Sequence, residues 1–260
     1  MAFTLGARAR QAGYGLQVHD AIDSTNAEAL RQARTDTRGP LWIVTRHQTA
    51  GRGRRGRSWI SPPGNLAATL LTSVDMVPPT AALLGFVAGV ALHRALQPFA
   101  PGAGMGIKWP NDLVAGDAKL AGILLESEEM SGRLAVVLGI GVNVRAAPQD
   151  LPYAATSLAA LGAVANAEAL FAALSDEWLE AARIWDDGRG FGSIRDLWLE
   201  RACGRGQPIT VRLADRLIAG DFETIDASGA LIVRCANGEC MRVSAGDVYF
   251  GRPVHALEPH

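Results

Sequence analysis

Cysteine and net charge are both scarce in this chain, and each scarcity excludes a class of protein. The 260 residues include three cysteines, Cys203, Cys235 and Cys240, without Cys-x-x-Cys spacing. An odd number of unspaced cysteines does not form a disulfide framework and fits a reducing compartment, so we read them as ordinary core thiols. The formal net charge is −1, so the chain lacks the overall basic field typical of proteins that bind nucleic acid. We therefore expect no nucleic-acid partner.

Long hydrophobic runs are also missing. The basic N-terminal residues are not followed by the apolar segment that a secretory signal requires. The apolar stretch 83–96 is short for a bilayer span and contains His93 and Arg94. The sequence thus predicts a cytoplasmic protein without a membrane partner. With 48% hydrophobic residues, the chain can bury one large core and a smaller one.

Apolar and alternating segments, separated by glycine, proline or polar breaks, predict the secondary structure. The larger part contains predicted strands at residues 16–22, 41–48, 65–73, 106–115, 119–126 and 134–144, and predicted helices at 25–34, 80–97, 166–185 and 193–203. A tight connection at 116–118 predicts an antiparallel hairpin, which would put Lys108 and Lys119 on neighbouring strands. We also expect Thr80 to cap the second helix.

The pattern changes after Gly206, where we place a domain boundary. Short strands without a helix are predicted from there on, at residues 209–213, 217–226, 231–235 and 240–243. Ser228-Gly229 and Asn237-Gly238 provide turns between them. Such a series of short strands is typical of a small barrel.

A glycine-hinged loop carries the densest charge of the chain. Residues 51–57 read Gly-Arg-Gly-Arg-Arg-Gly-Arg, with four arginines and no carboxylate. Arginine suits phosphates and carboxylates, and glycine lets the backbone approach a ligand closely. The loop satisfies the dinucleotide fingerprint and nearly the P-loop pattern, but both need a helix directly afterwards, and residues 62–64, Pro-Pro-Gly, argue against one. The sequence predicts a phosphorylated ligand and a loop that opens and closes; the alternative is a solvated loop with an accidental basic run.

Polar residues also collect where a predicted strand meets a predicted helix. Ser24, Thr25 and Asn26 stand at this junction, and Thr25 with Glu28 matches a capping box. Capping is one interpretation of the cluster. The other is a pocket in which short polar side chains and free helix amides hold a small polar head group.

Two segments around the predicted hairpin complete a cationic site. The run Lys108-Trp109-Pro110-Asn111-Asp112 has a proline inside a strand-like segment, which indicates a bulge that re-aims its side chains. Asp112 could hold Mg²⁺ through water, or form a surface salt bridge with Lys108. In residues 119–124, Lys119 opens an apolar strand and Gly122 leaves room for a ligand. Together with the arginine loop, these cations could neutralise a transferring phosphoryl group.

These segments, in this order and spacing, resemble the bacterial biotin protein ligases. The resemblance also includes residues 47–50 and Ser58-Trp59 around the arginine loop, and residues 139–144, 155–158 and 244–248, so it covers nearly the whole chain. It implies an ATP-dependent enzyme in which the biotin carboxylate attacks the α-phosphorus of ATP, giving biotinyl-5′-AMP and pyrophosphate. A specific lysine of the biotin carboxyl carrier protein of acetyl-CoA carboxylase then attacks this mixed anhydride.

The resemblance assigns roles to residues of this chain. The implied catalytic residues are Lys119, Arg52 and Arg54. The implied biotin-binding residues are Ser24, Thr25, Asn26, Gln48, Gly51, Arg52, Gly53, Arg54, Trp59, Lys119 and Gly122. The implied ATP-binding residues are Arg52, Arg54, Arg55, Lys108, Trp109, Asn111, Asp112, Lys119 and Asn143. Magnesium would accompany ATP, with Asp112 as its implied ligand, directly or through water.

The implied fold class is α+β. A mixed sheet with helices packed on it would form a catalytic domain at residues 1–206, followed by a small SH3-like barrel at 207–260. Many members of the family carry an N-terminal winged helix-turn-helix, but about fifteen residues precede the first predicted strand here, so we expect a monofunctional ligase without DNA binding. A homodimer is left open. The alternatives are a lipoate ligase of the same fold and a non-catalytic regulator that responds to biotin.

Overall fold

Seven strands form the larger sheet of the computed structural model, which describes residues 2–130 and 132–251. They are β1 Gly15–His19, β2 Leu41–Thr45, β3 Leu66–Val74, β4 Met105–Lys108, β5 Asp112–Ala115, β6 Ala118–Met130 and β7 Arg133–Val142. The order across the sheet is β1-β2-β3-β7-β6-β5-β4. The β1–β2 pair is parallel and the other pairs are antiparallel, which confirms the predicted mixed sheet.

Helices cover both faces of this sheet. They are α1 Ala7–Gln11, α2 Thr25–Arg34, α3 Pro78–Ala82, α4 Leu84–Leu96, α5 Ala167–Trp185 and α6 Phe191–Leu199. Helix α2 packs on one face over a small core, and α4, α5 and α6 enclose the large core on the other. The predicted helix 25–34 is confirmed to the residue.

Strand β7 shows how the sequence alternation divides the two faces. Leu138 and Ile140 belong to the large core, and Val137 belongs to the small core beneath α2. Because side chains alternate along a strand, the next two residues on the Val137 face are Gly139 and Gly141. The small core therefore ends where the side chains end, and an open space begins above the sheet.

The predicted helix 80–97 differs from the structure. It begins at Pro78 and divides into α3 and α4 around Leu83, and no side chain caps its first turn, so the predicted Thr80 cap is wrong. Proline favours the first helical turn because its missing N–H is not needed there. The stretch Pro78–Leu96 is long and apolar enough to cross a membrane, but 67% of it is buried inside the protein, as in a core helix.

The predicted strand 106–115 is two strands that form a hairpin, β4 and β5, with Lys108 opposite Asp112. The proline between them lacks the N–H needed to continue a ladder, and the chain reverses there instead of bulging. The β5–β6 hairpin is confirmed by the pairing of Ala115 with Ala118. Because β5 lies between β4 and β6, the expectation that Lys108 and Lys119 lie on neighbouring strands is wrong.

A second, antiparallel sheet follows in the C-terminal part. Its strands are β8 Pro208–Arg212, β9 Leu217–Ile225, β10 Leu231–Arg234, β11 Cys240–Val243 and β12 Asp247–Phe250, in the order β11-β10-β9-β8-β12. Four of them were predicted, and β12 was not. Within the described residues the edge strands β11 and β12 do not pair, so the small barrel is not closed by hydrogen bonds. Residues 252–260 of the predicted domain lie outside the described residues.

The two sheets are joined by packing as well as by the chain. The indole Nε1 of Trp109, in the β4–β5 turn, donates a hydrogen bond to the Gly229 carbonyl at 3.0 Å. Trp198 of α6 lies against Phe222 of β9, with 6.5 Å between the ring centroids. These buried contacts hold the C-terminal sheet beside the β4–β5 turn.

Candidate active site

A pocket lies above the sheet on the face that carries α2. Its floor has almost no side chains because Gly122 of β6 stands directly opposite Gly141 of β7. A Cβ atom on Gly141 would overlap the indole of Trp59, and one on Gly139 would overlap the Asn26 side chain. The indole and the amide therefore lie directly on the strands. The pocket is lined by Ser24, Thr25, Asn26, Gln48, Arg52, Gly53, Arg54, Arg57, Ser58, Trp59, Ala67, Asn111, Asp112, Lys119, Gly122, Ile123, Leu124, Gly139, Ile140, Gly141, Tyr153 and Asp247.

One end of the pocket is neutral, buried and hydrogen-bonded. The Gln48 Oε1 atom accepts hydrogen bonds from the backbone N–H of Thr25 at 2.9 Å and from its hydroxyl at 3.1 Å. The Thr69 hydroxyl lies 2.8 Å from Thr25 Oγ1 and 2.7 Å from Asn26 Oδ1, and can donate to one of them at a time. Ser24, Thr25 and Asn26 are each at most 4% exposed. This network fixes short polar side chains at the beginning of α2.

The capping box predicted for Thr25 and Glu28 is wrong. The N-cap is Ser24, whose side chain accepts from the Ala27 N–H at 3.4 Å. Thr25 is already the first helical residue, and its N–H is taken by Gln48 rather than by a capping side chain. The Thr25 hydroxyl is therefore not needed to begin the helix and faces the pocket instead.

The other end of the pocket is charged. Lys119 Nζ lies 2.7 Å from Asp112 Oδ1 and sits between two aromatic rings, 5.6 Å from the Trp59 centroid and 5.5 Å from the Tyr153 centroid. At this separation the ammonium and the carboxylate make a charge-assisted contact, so each charge has a partner. Asp112 pairs here with Lys119 and not, as the salt-bridge interpretation had it, with Lys108.

The arginine loop is itself a small hairpin. The N–H of Trp59 donates to the Gly51 carbonyl at 2.9 Å, and the N–H of Gly53 donates to the Arg57 carbonyl at 2.7 Å. A Cβ on Gly51 would overlap the Trp59 backbone, so glycine is required at this close approach. No helix follows the loop, which confirms that it is neither a P-loop nor a dinucleotide fingerprint.

Every arginine of the loop pairs with a residue outside the loop. Arg52 Nη2 lies 2.7 Å from Glu126 Oε1 on β6, and Arg54 Nη1 donates to Asn111 Oδ1 at 2.8 Å. Burial lowers the pKa of Arg54, although a guanidinium remains charged at any physiological pH. The two remaining arginines of the loop pair with an aspartate of the C-terminal sheet. The loop is thus held at three places and is not a free basic run.

Four of the residues assigned to ATP do not line this pocket: Arg55, whose guanidinium pairs with Asp247, and Lys108, Trp109 and Asn143. Lys108 Nζ lies 4.9 Å from the centroid of Phe250 in β12, and burial lowers the pKa of Lys108. Trp109 is 3% exposed and joins the two sheets. Asn143 donates through Nδ2 to the Thr156 carbonyl at 3.0 Å and lines a small adjoining cavity that shares Trp59, Lys119 and Tyr153 with the main pocket.

Several site residues were missed in the sequence. Glu126 bonds both Asn26, at 2.8 Å, and Arg52, and it could have been found because it lies four residues after Gly122 on the same face of a predicted strand. Tyr153 lies in an irregular segment with no signal of its own. Asp247 lies in the segment 244–248 that shares the family resemblance, but it was given no role because β12 was not predicted.

Residues 18–143 match the Biotin/lipoate A/B protein ligase family, and residues 205–251 match the Biotin protein ligase C terminal domain. Fold and site thus define an enzyme of the biotin/lipoate ligase class. The chain is 43% identical over 241 residues to the biotin–[acetyl-CoA-carboxylase] ligase of Paracoccus denitrificans, covering 88% of this chain and 98% of that one. It is 35% identical to the enzyme of that name from Mycobacterium tuberculosis, covering 91% and 90%. The chain therefore belongs to the biotin protein ligase family.

Solved structures support the same fold. The biotin protein ligase from Aquifex aeolicus in complex with biotin and ATP superposes with a TM-score of 0.76, at 22% identity, over 91% of this chain and 99% of that chain. The bifunctional ligase/repressor BirA of Bacillus subtilis is a longer relative, 29% identical, of which the match covers 77%.

Proposed function

We propose that this chain is an ATP-dependent biotin protein ligase that forms biotinyl-5′-AMP and transfers biotin to a lysine of the biotin carboxyl carrier protein of acetyl-CoA carboxylase. One observation carries the proposal: a single pocket has a neutral hydrogen-bonding end and a cationic end. Biotin has a neutral ureido ring and an anionic carboxylate, and ATP adds phosphates. The names of the Paracoccus denitrificans and Mycobacterium tuberculosis relatives support the acceptor.

Biotin would bind with its ureido ring at the neutral end. Thr25, Asn26 and Gln48 offer hydroxyl and amide groups there, with Ser24 beside them, and buried polar groups of a ligand need such partners. Trp59, resting on the glycine floor, would form the apolar wall against the ring. Gly51, Gly53 and Gly122 would let the backbone come close to the ligand.

Adenylation requires two anions to approach each other. Lys119 would lie between the biotin carboxylate and the α-phosphate and would reduce the repulsion between these two anions. Its ammonium would also stabilise the negative charge that develops as the carboxylate oxygen bonds to phosphorus and pyrophosphate leaves. The arginine loop, residues 51–57, would close over the pocket as a lid. Arg52 and Arg54 would then bind oxygens of the carboxylate and the phosphates. Before the substrates bind, Glu126 and Asn111 hold these two arginines over the pocket.

The remaining ATP residues would serve the nucleotide and its metal. Asn111 and Asp112 line the pocket at its cationic end, and Asn143 lines the adjoining cavity. Lys108 stands opposite Asp112 in the β4–β5 pair. The described residues contain no group of three side chains able to hold a metal alone. A phosphate-bound Mg²⁺ needs only one or two carboxylates, and Asp112, which lines the pocket beside Lys119, would supply one. Bound there, Mg²⁺ would neutralise phosphate charge.

Transfer is the second half of the reaction. The carrier lysine, as a neutral amine, would attack the acyl carbon of biotinyl-5′-AMP, forming an amide, releasing AMP and losing a proton. The closed lid would keep water from the anhydride until the carrier docks. No side chain of the ligase becomes acylated.

The wider assignments are part of the proposal. The catalytic domain would comprise residues 1–206, with Arg55 and Trp109 serving ATP from the border of the C-terminal domain 207–260. We propose a cytoplasmic enzyme that acts without nucleic acid or membrane; a homodimer is to be tested by sedimentation with and without biotin and ATP. A gel-shift assay with genomic DNA fragments tests whether the enzyme binds nucleic acid.

Pyrophosphate release tests the proposal most directly. Purified protein with biotin, ATP and Mg²⁺ should release pyrophosphate, and a carrier domain added next should become visible to streptavidin. Carrier with its acceptor lysine changed to arginine is the control and should stay unlabelled. A non-catalytic regulator would bind biotin without releasing pyrophosphate.

Lipoate is the competing substrate, because the matched family includes lipoate ligases by its description. A thermal-shift comparison of biotin and lipoate, each with ATP, separates the two. Stabilisation by lipoate and not by biotin would contradict the proposal.

A further inference from the structure

Strand β12 of the C-terminal sheet reaches into the site through one carboxylate. Asp247 is the first residue of this strand, lines the pocket and is half-buried. Its Oδ2 atom lies 2.8 Å from Arg55 Nη1 and 2.7 Å from Arg57 Nη2. One carboxylate oxygen thus joins two arginines on either side of a glycine in the lid.

The same strand also contacts the β4–β5 turn. Lys108 Nζ lies 4.9 Å from the Phe250 centroid and 5.9 Å from the Tyr249 centroid. Strand β12 is itself held in the C-terminal sheet by its pairing with β8, from Asp247 opposite Arg212 to Phe250 opposite Ile209. Asp247 therefore stands on a fixed element while its partners stand on a loop.

The four arginines are divided by this arrangement. Arg55 and Arg57 pair with Asp247, whereas Arg52 pairs with Glu126 of β6 and Arg54 with Asn111 of the β4–β5 turn. The pocket is lined by Arg52, Arg54 and Arg57. Arg55 has a backbone φ of +56°, in the left-handed region, which costs energy for a residue other than glycine. A specific partner for the Arg55 side chain offsets that cost.

We propose that Asp247 is a positioning residue, a latch that holds the lid over the pocket by binding Arg55 and Arg57 so that Arg52 and Arg54 face the substrates. The inference rests on the proposed function, since the substrates are biotin and ATP. Asp247 acts through the lid and does not itself touch the reacting atoms. A latched lid lowers the ordering cost that ATP must meet and slows the escape of the adenylate.

Limited proteolysis tests the latch without any ligand. Trypsin cleaves after arginine, and mass spectrometry identifies cuts after Arg52 or Arg54. The variant Asp247→Asn, which keeps shape and removes charge, should be cut there about three to ten times faster than wild type, the factor that two exposed ion pairs support. Asp215→Asn is the matched control: Asp215 lies in the β8–β9 turn, outside the pocket lining, and forms a loose ion pair with its neighbour Arg216 at 3.8 Å.

Kinetics tests the same latch in the working enzyme. Asp247→Asn should raise the KM for ATP and the release of free adenylate by a similar factor, with kcat changed less, and Asp247→Glu should restore most of the loss. In an Arg55→Gln, Arg57→Gln background, Asp247→Asn should add nothing further. A full additional effect in that background, or proteolysis of Asp247→Asn at the wild-type rate, would overturn the proposal.

The two proposals fail separately. If the wild-type protein released no pyrophosphate, the ligase assignment would fall, while the proteolysis of the ligand-free protein would still decide the latch. If the ligase reaction proceeded and Asp247→Asn left both proteolysis and KM unchanged, only the latch would fall. If Asp247→Asn folds poorly, the double variant Arg55→Gln, Arg57→Gln removes the same two ion pairs and should show the same faster proteolysis.

Discussion

The two ends of the pocket are built differently. At the neutral end, Thr25, Asn26 and Thr69 are almost fully buried on strands and a helix, and they are already hydrogen-bonded to one another. At the charged end, Arg52 is exposed on a loop, and its partner is the Glu126 carboxylate, which an anionic substrate could replace. Buried neutral networks are rigid, whereas exposed ion pairs contribute little and exchange readily. The difference indicates recognition by a preformed surface at one end and capture by a movable one at the other.

The largest expected effect is at the charged end. Lys119→Ala should lower the rate of pyrophosphate release about 100-fold or more, because the barrier rises by about 3 kcal/mol when a stabilising charge is removed. Biotin affinity, measured by calorimetry, should change little, since the neutral end is untouched. Lys108→Ala, which removes the lysine outside the pocket, should cost less. A near-wild-type rate for Lys119→Ala would refute its role.

The glycine floor gives the next largest effect. Gly139→Ala places a Cβ against the Asn26 amide, and overpacking of this kind costs about 1–3 kcal/mol. Biotin binding should weaken by about that amount in calorimetry. Gly192→Ala is the control, because a Cβ there meets no atom within 4 Å. Equal behaviour of the two variants would show that the floor does not shape the neutral end.

Gln48→Ala should separate binding from folding. Gln48 holds both the N–H and the hydroxyl of Thr25, so its loss leaves buried polar groups without partners and should weaken biotin binding by about 1–3 kcal/mol. Calorimetry and thermal unfolding should be run on the same sample. A lower melting temperature with unchanged biotin affinity would mean that Gln48 only supports α2.

Arg54→Gly should loosen the lid while leaving the neutral end intact. We expect adenylate synthesis to fall about tenfold, the loss of one hydrogen bond to a charged group. Adenylate that escapes can acylate any exposed amine, so serum albumin added as a bystander should become labelled in a streptavidin blot. Arg38→Gly, at an exposed pair with Asp36 outside the pocket lining, is the control. Labelling confined to the carrier would show that Arg54 does not hold the lid.

The smallest expected effect is a pH dependence beside the neutral end. Hydrogen bonds from Arg31 lower the pKa of Asp23 to about 2, from 3.8. A lowered carboxyl pKa contributes stability above about pH 4, and this contribution is lost as the pH falls towards 2. Arg31→Gln should therefore cost about 0.5 kcal/mol at pH 7, as an exposed pair does, and nothing near pH 2. Denaturant unfolding at the two pH values measures it; an equal loss at both would exclude the ion pair as its cause.

The sequence predicts elements better than it predicts which elements meet. Helix 25–34 and the β5–β6 hairpin follow from local signals, namely polar residues before an apolar period and a tight turn. The turn at Pro110 was a local signal too, but proline restricts the chain without deciding between a bulge and a reversal. That choice depends on what the neighbouring strands cover.

The site was predictable where its residues are chemically unusual. An arginine-rich loop and Lys119 stand out in any sequence, whereas the opposition of Gly122 and Gly141 exists only once β6 and β7 are in register. Asp247 stands in a short strand that only the completed C-terminal sheet defines. Partners that come from distant parts of the chain depend on strand order, and local patterns do not contain it.

The positions of Lys108 and Lys119 have a consequence for chemical labelling. They are the only lysines in the sequence, beside 23 arginines. A ligase of this kind makes an acylating agent, which reacts with neutral amines. Because almost all the basic residues here are arginines, whose guanidinium groups remain protonated, the agent finds almost no amine on the ligase itself. An amine-selective reagent would in turn read only the N-terminus and these two side chains, so its rate of reaction at Lys119 would report directly on occupancy of the pocket.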